Sequence, residues 1–271
     1  MILVTGATGT IGGEVVRQLN EQGVPVRAMA RNPEHLPGDS VRADFTDPES
    51  LKHAVVGVDA VFLATAPGAH IPAHDSAMIE AARAGGVGRV VKLSAAAGGG
   101  WHAPGERALA ESGLAWSALR PSWYASNALA WAASVRTGTP VLNLTGSGQQ
   151  GVVDPRDVAA AAVVALTRTD LGVVTLTGPE LLDLPAVVRE LAAQIGRPIG
   201  LTDAPAAAVA DRMRAAGRDP ETVAAIVAAY EHIRAGGNAL LSDDLPQILG
   251  RPARHFREWA RDNRSAFLDH G

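Results

Sequence analysis

The chain begins with Met1-Ile2-Leu3-Val4-Thr5-Gly6-Ala7-Thr8-Gly9-Thr10-Ile11-Gly12, and residues 13–22 then have the composition of a helix. The apolar run before Gly6 is typical of a buried parallel strand. Gly6 permits a sharp turn, Gly9 lets the backbone approach a pyrophosphate, and Gly12 lets helix and strand pack closely. The helix N-terminus adds free N–H groups and a positive dipole end. This order predicts a dinucleotide site whose phosphate-binding residues are Gly6, Thr8, Gly9, Thr10, Ile11 and Gly12.

Short apolar runs alternate with helical stretches through the first 120 residues. The predicted strands are Ile2–Thr5, Val24–Ala30, Ser40–Arg42, Ala60–Ala64, Arg89–Ser94 and Ala115–Leu119. The predicted helices between them are Gly13–Gln22, Pro48–Val56, Ala73–Ala84 and Gly105–Ser112. This alternation predicts an α/β fold of Rossmann type, with a doubly wound parallel sheet.

The later part of the chain is mainly helical. We predict helices at Ser126–Arg136, Pro155–Thr167, Pro185–Ile195, Pro205–Ala216, Pro220–Ala235 and His255–Asn263, with strands at Val141–Leu144 and Val173–Thr177. We therefore assign residues 1–123 to an NAD(P)-binding core, to which residues 150–182 return. Residues 124–149 and 183–271 then form a smaller, mainly helical substrate-binding region.

The composition limits the classes of partner. The 271 residues carry a net charge of −4, which gives no electrostatic case for nucleic acid or an anionic membrane. The absence of cysteine excludes disulfides, thiol catalysis and cysteine metal ligands. The first predicted strand leaves no room for a signal peptide, and no apolar run reaches the ~18 residues of a membrane span. We expect a cytoplasmic protein with a small-molecule partner, and the sequence is compatible with any oligomeric state.

One histidine pair has the spacing of metal ligands. His70 and His74 stand four residues apart and would share a helix face. Pro72 between them makes a helix there doubtful, and Asp75 is the one acidic candidate nearby. We therefore predict no metal site.

The end of the second predicted strand indicates which dinucleotide is bound. A site that prefers NAD usually places an acid there, bonded to the ribose 2′-hydroxyl, whereas an arginine accommodates the 2′-phosphate of NADP. This strand ends in Arg31-Asn32-Pro33, and the first acid is Glu34. Because a guanidinium binds phosphate in bidentate fashion, we predict a preference for NADPH/NADP, with NADH still possible. The alternative is an exposed arginine without a ligand.

These residues resemble a known group. Residues 5–12 are similar to the opening of the short-chain dehydrogenase/reductase superfamily, particularly its atypical NmrA-like branch. Residues 119–127 resemble the segment after the sixth strand of NmrA-like quinone oxidoreductases, and residues 153–159 and 250–256 resemble two later signatures of the branch. The resemblance covers essentially the whole chain and implies an NAD(P)-binding reductase.

The resemblance also implies three further groups of cofactor contacts. They are Asp44 and Phe45 at the adenine, Ala64, Thr65 and Pro67 along the ribose, and the backbone of Pro121 and Ser122 at the nicotinamide. Asp44 could instead cap the helix that follows, although Asp47 is better placed to do so. These segments follow strands, where parallel sheets bind their ligands.

The catalytic pair of ordinary superfamily members is missing. Those members use a serine and a Tyr-x-x-x-Lys pair, in which lysine lowers the tyrosine pKa and tyrosine supplies a proton. The two tyrosines here are Tyr124 and Tyr230, and the residues four positions later are Ala128 and Arg234. The pair therefore cannot exist in this chain.

Other side chains are candidates for the catalytic role. Ser94 follows the fifth strand, where the family serine lies, and His102 lies in the loop of the family tyrosine, where it could donate a proton near neutral pH. Tyr124 could line the substrate pocket, and an aromatic role suits it better than an acid role. Because side chains alternate along a strand, Lys92 and Ser94 point to the same face. There the Lys92 ammonium either reaches the cofactor or extends along the apolar surface to solvent. Each of these residues also has a purely structural interpretation.

Aromatic side chains indicate the kind of substrate. Trp101, Trp123 and Trp131 follow the nucleotide-binding strands and could stack on a flat molecule, or they could simply pack in the core.

Two functions stay open from the sequence. The first is an NADPH-dependent reductase for a quinone or ketone carbonyl of a flat aromatic molecule, because hydride addition then gives a stabilised anion that water can protonate. The second is a non-catalytic NAD(P)-binding redox sensor, since the NmrA-like branch contains both kinds. A sugar-nucleotide epimerase is disfavoured by the missing tyrosine and lysine.

Overall fold

The computed structural model describes residues 1–96 and 100–268. These residues divide into two compact units. The first unit comprises Met1–Pro121, Pro155–Leu176 and Asp244–Gly250. The second comprises Ser122–Asp154, Thr177–Asp243 and residues 251–268.

The secondary structure of the described residues follows the predicted alternation. The strands are β1 (Ile2–Val4), β2 (Val26–Ala30), β3 (Ser40–Arg42), β4 (Ala60–Leu63), β5 (Arg89–Leu93), β6 (Ala115–Pro121), β7 (Val141–Asn143), β8 (Gln150–Gly151), β9 (Gly172–Leu176), β10 (Leu181–Leu182) and β11 (Leu201–Asp203). The α-helices are α1 (Thr10–Glu21), α2 (Pro48–Ala54), α3 (Ile71–Ala84), α4 (His102–Glu111), α5 (Ala132–Thr137), α6 (Pro155–Thr167), α7 (Leu184–Ile195), α8 (Ala210–Ala215), α9 (Pro220–Arg234), α10 (Asp244–Leu249) and α11 (Phe256–Asp262). Short 3-10 helices cover Ala125–Trp131, Ala206–Val209 and Arg264–Phe267.

The first unit contains the central sheet. Within residues 1–96 and 100–268, seven strands pair in the order β3-β2-β1-β4-β5-β6-β9. Every neighbouring pair in this sheet is parallel. The strand order reverses between β1 and β4, which is the topological switch point of a Rossmann fold. The predicted doubly wound α/β fold is confirmed.

Helices cover this sheet and bury its strands. Helix α1 packs beside α6, while α3 packs beside both α2 and α4. Leu3, Val61 and Val90 of the strands are fully buried in a core that also includes Met78 and Leu109 of the helices. Continuous apolar strands are expected where helices lie on the faces of a parallel sheet. This packing fixes the carboxyl ends of β1, β4, β5 and β6.

The second unit has its own apolar core. Strands β7 and β11 pair in parallel, and β8 pairs with β10 in antiparallel fashion. Helix α7 packs against α11, where the Phe256 and Trp259 rings stack at 5.7 Å and Trp259 meets Phe267 edge-on. Strands β8, β10 and β11 were not predicted, because no extended apolar run of residues marks them in the sequence.

Several helices differ from the predicted ones. The predicted helix Ser126–Arg136 is a 3-10 helix followed by α5, and the predicted helix Pro205–Ala216 is likewise a 3-10 helix followed by α8. Helix α3 begins at Ile71 with Pro72 in its first turn, so the expectation that Pro72 disfavours a helix is wrong. A proline is tolerated there because a first-turn N–H has no intrahelical partner. Helix α4 begins at His102 rather than Gly105, so His102 lies on a helix and not in a loop.

The unit boundaries differ in part from the division drawn from the sequence. Helix α10, which was not predicted, belongs to the first unit, where it packs against α6 and β9 and the Asp244 carboxylate accepts a hydrogen bond of 2.7 Å from the Thr175 backbone. Residues 122–123, 150–154 and 177–182 belong to the second unit instead of the first. The substrate-binding role of the second unit stays a prediction.

Candidate functional site

The glycine turn after β1 has the geometry of a phosphate-binding loop. Gly6 has a φ of +60°, and the Gly9 N–H donates to its carbonyl oxygen at 2.9 Å. A Cβ at Gly12 would lie 2.2 Å from the same oxygen, so only glycine fits there. Gly9 is the N-cap of α1 and no side chain caps this helix. The first-turn amides of α1 are therefore available to an anion.

The segment after β4 is held against this turn by one threonine. The Thr5 hydroxyl donates to the Ala64 carbonyl at 2.9 Å and accepts from the Ala64 N–H at 2.8 Å. Next along the chain, the Thr65 hydroxyl oxygen is buried and has no hydrogen-bond partner among the described residues. Pro67 is exposed. Because an unpaired buried hydroxyl costs free energy, Thr65 fits a polar ligand group at this edge of the sheet.

The predicted adenosine contacts lie at the ends of β2 and β3. Arg31 is exposed, and its charge acts on Asp44. Hydrogen bonds from the backbone and the hydroxyl of Thr46 lower the pKa of Asp44, and Arg31 lowers it further. The Phe45 ring stacks on His74 at 5.0 Å. An arginine, a carboxylate and an aromatic ring thus lie together where the sequence predicts the adenosine half of the cofactor.

The N-terminus of α2 shows which aspartate caps this helix. Asp47 is its N-cap, and the carboxylate accepts from the backbone N–H groups of Glu49 and Ser50. Asp44 is therefore not the helix cap and remains a candidate for the adenine.

Lys92 of β5 forms a buried ion pair with Asp75 of α3. The Lys92 ammonium and the Asp75 carboxylate are both fully buried, with Nζ and Oδ2 2.5 Å apart. The same nitrogen lies 3.4 Å from Nδ1 of His102. A Cβ at Gly105 would lie 2.2 Å from the Asp75 carboxylate, so the backbone of α4 packs directly on Asp75. The described contacts of the Lys92 ammonium are thus to protein groups, and its predicted contact with the cofactor stays a prediction.

A second ion pair holds the serine. The Ser94 hydroxyl donates to Glu106, and Arg120 binds the same carboxylate through Nε at 3.0 Å and through Nη2. Glu106 and Ser94 are buried, and Arg120 is partly exposed. The hydroxyl proton of Ser94 is thus committed to Glu106.

Burial and hydrogen bonding together shift the pKa values of these groups. Desolvation lowers the pKa of His102 to about 4, with a further contribution from the positive charge of Lys92. Desolvation raises the pKa of Asp75, and the Lys92 ammonium opposes this shift. Burial raises the pKa of Glu106, but its hydrogen bonds from Arg120 and Ser94 outweigh burial and lower it overall. His102 is therefore neutral at pH 7.

The remaining predicted residues lie at or after the end of β6. The Pro121 carbonyl accepts from the Ala96 N–H at 2.8 Å, and the Ser122 hydroxyl accepts from Asn238 at 3.3 Å. Burial raises the pKa of Tyr124. The Trp123 and Trp131 rings stack at 5.9 Å.

Sequence reasoning missed the structural roles of four residues. They are Thr5, Asp75, Glu106 and Arg120. The sequence did indicate that a buried acid must exist, because Lys92 lies inside an apolar strand and a buried lysine needs a charged partner. Its partner Asp75 is 17 positions earlier, and only the fold brings the two together.

Neither a metal cluster nor a membrane-spanning helix is found in the described residues. No group of three or more histidine, cysteine, aspartate or glutamate side chains in residues 1–96 and 100–268 is arranged to hold a metal ion. No helix in the same ranges is long and apolar enough to cross a membrane.

Comparisons with known proteins agree with this geometry. A family model described as NAD(P)H-binding matches residues 6–169. The (4-alkanoyl-5-oxo-2,5-dihydrofuran-3-yl)methyl phosphate reductase of Streptomyces griseus is 36% identical over 98% of this chain and 99% of its own length. The NAD(P)H azoreductase of Xenophilus azovorans is 32% identical with the same coverage. The NADPH-dependent quinone oxidoreductase of Escherichia coli, solved with NADPH, has a TM-score of 0.84 at 25% identity, over 97% of this chain and 99% of that one.

A Rossmann sheet with a glycine turn at its switch point is typical of a dinucleotide-binding protein. The chain belongs to the NAD(P)H-binding family, within the atypical NmrA-like branch of the short-chain dehydrogenases/reductases. It is an NAD(P)H-dependent oxidoreductase, and the predicted nicotinamide cofactor is confirmed. The roles predicted for individual side chains remain proposals.

Proposed function

We propose that the protein uses NADPH to reduce a quinone or a ketone carbonyl of a flat aromatic molecule, without the usual Tyr-x-x-x-Lys pair. The acceptors are those whose reduced form is a stabilised anion, such as the monoanion of a hydroquinone. Such an acceptor needs no strong acid from the protein, because water can protonate the product.

The protonation states at the ends of β5 and β6 carry this proposal. An acid that acts near pH 7 needs a pKa near that value. The pKa of His102 is about 4, so its imidazole is neutral. The Ser94 hydroxyl proton is bound to Glu106, and burial raises the pKa of Tyr124. None of the three predicted candidates is thus tuned as a proton donor, which favours an acceptor that does not require one.

The relatives support the same class of acceptor. By their names, one acts on azo compounds, one on quinones and one on a dihydrofuranone with an alkanoyl group. An azo bond, a quinone and a ring next to an acyl group are all electron-poor.

Bound NADPH would supply the hydride, and the protein would supply its position. We assign the phosphates to the first-turn amides of α1 and the 2′-phosphate to Arg31. We assign the adenine to Asp44 and Phe45, the ribose to Ala64, Thr65 and Pro67, and the nicotinamide to the backbone of Pro121 and Ser122. The buried Thr65 hydroxyl without a partner and the uncapped α1 favour a polar, anionic ligand here.

The proposal is tested by a matched panel of acceptors. NADPH absorbance is followed with naphthoquinone, with an azo dye and with tetralone, an unactivated ketone of the same bicyclic size as naphthoquinone. We expect NADPH to be consumed with the first two and to be stable with tetralone.

Two results would contradict the proposal. Faster reduction of tetralone than of naphthoquinone would mean that the protein supplies an acid after all. Tight NADPH binding without consumption across a panel of quinones and activated ketones would favour a redox sensor.

A further inference from the structure

The contacts of Lys92 determine which nitrogen of His102 carries the proton. A lysine ammonium has three donors and no acceptor. Lys92 lies 2.5 Å from an Asp75 oxygen in a fully buried pair, which is the arrangement of an ammonium bound to a carboxylate. The same nitrogen lies 3.4 Å from Nδ1 of His102. Nδ1 must then present a lone pair to Lys92, and the single proton of the neutral ring is on Nε2.

We propose that Asp75 and Lys92 are positioning residues that hold His102 as a neutral imidazole with its proton on Nε2, so that His102 donates a hydrogen bond to the acceptor and does not transfer a proton. This inference rests on the proposed function for its catalytic part. The tautomer and the charge of His102 are properties of the protein alone.

The charged groups around His102 agree with this assignment. Lys92 faces it from β5, and Asp75 of α3 is neutralised by Lys92. Glu106 of α4 would favour an imidazolium, but Arg120 of β6 and the Ser94 hydroxyl already occupy this carboxylate. The charged group next to Nδ1 is therefore the ammonium end of the Lys92–Asp75 pair, which disfavours a second positive charge on the ring.

The other ring nitrogen is available to a ligand. Nε2 of His102 has no hydrogen-bond partner among residues 1–96 and 100–268, and it is not among their buried unpaired atoms. His102 is the first residue of α4, whose backbone packs on Asp75 at Gly105. The helix start is thus fixed by the same carboxylate that binds Lys92.

The proposed step balances without a protein acid. Bound NADPH would supply a hydride to one atom of the acceptor's double bond. The displaced electron pair moves onto the acceptor oxygen or nitrogen, which accepts the hydrogen bond from Nε2–H. Water then supplies the proton that completes the reduced product.

The tautomer is measured directly by NMR of the protein labelled with ¹⁵N-histidine. The chain has 8 histidines, and the His102 signals are identified by their loss in His102→Gln. We expect the Nε2-protonated tautomer and no titration of His102 between about pH 5 and pH 8. An Nδ1-protonated ring, or titration near the ordinary value of ~6.5, would overturn the proposal.

The role of the ion pair is tested by removing both partners together. Asp75→Leu/Lys92→Met replaces the pair with apolar groups of similar volume and leaves no lone buried charge. We expect both tautomers to be populated, because Nδ1 no longer faces an ammonium, whereas the pKa of His102 stays low because desolvation is its main cause. An unchanged tautomer in a folded double variant would show that Asp75 and Lys92 do not position His102.

Kinetics then distinguish a donor from an acid. Glutamine can donate from its amide nitrogen but cannot transfer a proton, whereas phenylalanine can do neither. We expect His102→Gln to keep kcat within about tenfold of the wild type, and His102→Phe to lose about 100-fold, the size of effect seen for a lost oxyanion donor. Equal, large losses in both variants would indicate proton transfer and overturn the proposal. The NMR result decides the tautomer whatever the acceptor panel shows.

Discussion

Arg31 is the residue on which the cofactor preference depends. It is exposed at the end of β2, and its charge lowers the pKa of Asp44. We expect Arg31→Ala to raise the KM for NADPH by about 10- to 100-fold, because hydrogen bonds to charged groups contribute about 1.5–3 kcal/mol. The KM for NADH should not change.

Steady-state kinetics with both cofactors measure this effect. Arg83→Ala removes another exposed arginine, in the last turn of α3, and serves as the control. An unchanged NADPH-to-NADH preference in Arg31→Ala would mean that another group binds the 2′-phosphate.

Tyr124 is the residue that most resembles a superfamily acid in type, and we expect it not to act as one. Burial raises its pKa, which makes proton release harder at neutral pH. Tyr124→Phe should change kcat by less than about tenfold, whereas loss of a general acid costs about 100- to 10,000-fold. Turnover of naphthoquinone by the two proteins measures this, and a loss in the larger range would restore Tyr124 as the proton donor.

At single positions the sequence predicted backbone roles better than side-chain contacts. The need for glycine at Gly6 and Gly12 follows from local geometry and is visible in the structure. The partners of Lys92 and Ser94 come from α3 and α4, so their identity depends on how helices pack on β5. No local pattern contains that information.

The Asp75–Lys92 ion pair joins helix α3 to strand β5, and its contribution to stability should be measurable. Lys92→Met alone leaves a buried carboxylate without a partner, and we expect the free energy of unfolding to fall by about 3–5 kcal/mol. Adding Asp75→Leu should restore most of the loss. Urea unfolding of both variants measures the difference, and equal stability of the single and double variants would show that the pair is not coupled.

The close approach of α1 to the end of β1 gives a second prediction. A Cβ at Gly12 would lie 2.2 Å from the Gly6 oxygen, so Gly12→Ala must displace the turn that binds the phosphates. We expect NADPH binding to weaken by at least about tenfold and Tm to fall, because overpacking costs about 1–3 kcal/mol.

Gly88→Ala is the matched control for this change. Its Cβ would meet the Asp59 carbonyl oxygen at an ordinary 3.6 Å. Calorimetric titration with NADPH should find this variant unchanged. Wild-type affinity in Gly12→Ala would contradict the phosphate-binding role of the turn.

Elements with a clear start signal and apolar face were predictable, whereas the two-residue strands were not. Pro155–Thr167 was predicted at both ends, because a proline start and a continuous apolar face mark α6. Strands β8 and β10 have two residues each, and their pairing joins segments that are distant in sequence. Such strands follow from tertiary packing, which local propensity does not encode.

Across the whole molecule, the neutral state of His102 should appear in the pH dependence of stability. Its pKa is about 4 in the folded protein against an ordinary 6.5, so the unfolded chain binds more protons between these values. The free energy of unfolding therefore falls as the pH drops through this window. Below the window, His102 causes no further decrease.

The variant His102→Gln isolates this contribution. Carboxylates with a lowered pKa, such as Glu14 and Asp44, become protonated at low pH and reduce the free energy of unfolding in both proteins. Between neutral pH and about pH 5, urea unfolding should show a larger loss for the wild type than for His102→Gln. Identical losses would mean that His102 is not held neutral.

The division of the chain into two units was predictable in outline. The change from alternating strands to helices near Pro121 marks the first boundary. The return of Asp244–Gly250 to the first unit was not predictable, because it depends on the packing of α10 against α6 and β9, which are distant in sequence.

Transfer of deuterium from the cofactor tests most directly whether hydride moves without a protein acid. The enzyme with NADPH deuterated at C4 of the nicotinamide is mixed with naphthoquinone in a stopped-flow instrument, in H₂O and in D₂O. We expect a primary isotope effect from the deuterated cofactor and no solvent isotope effect. A solvent isotope effect on hydride transfer, or NADPH that binds and stays unoxidised, would contradict the account.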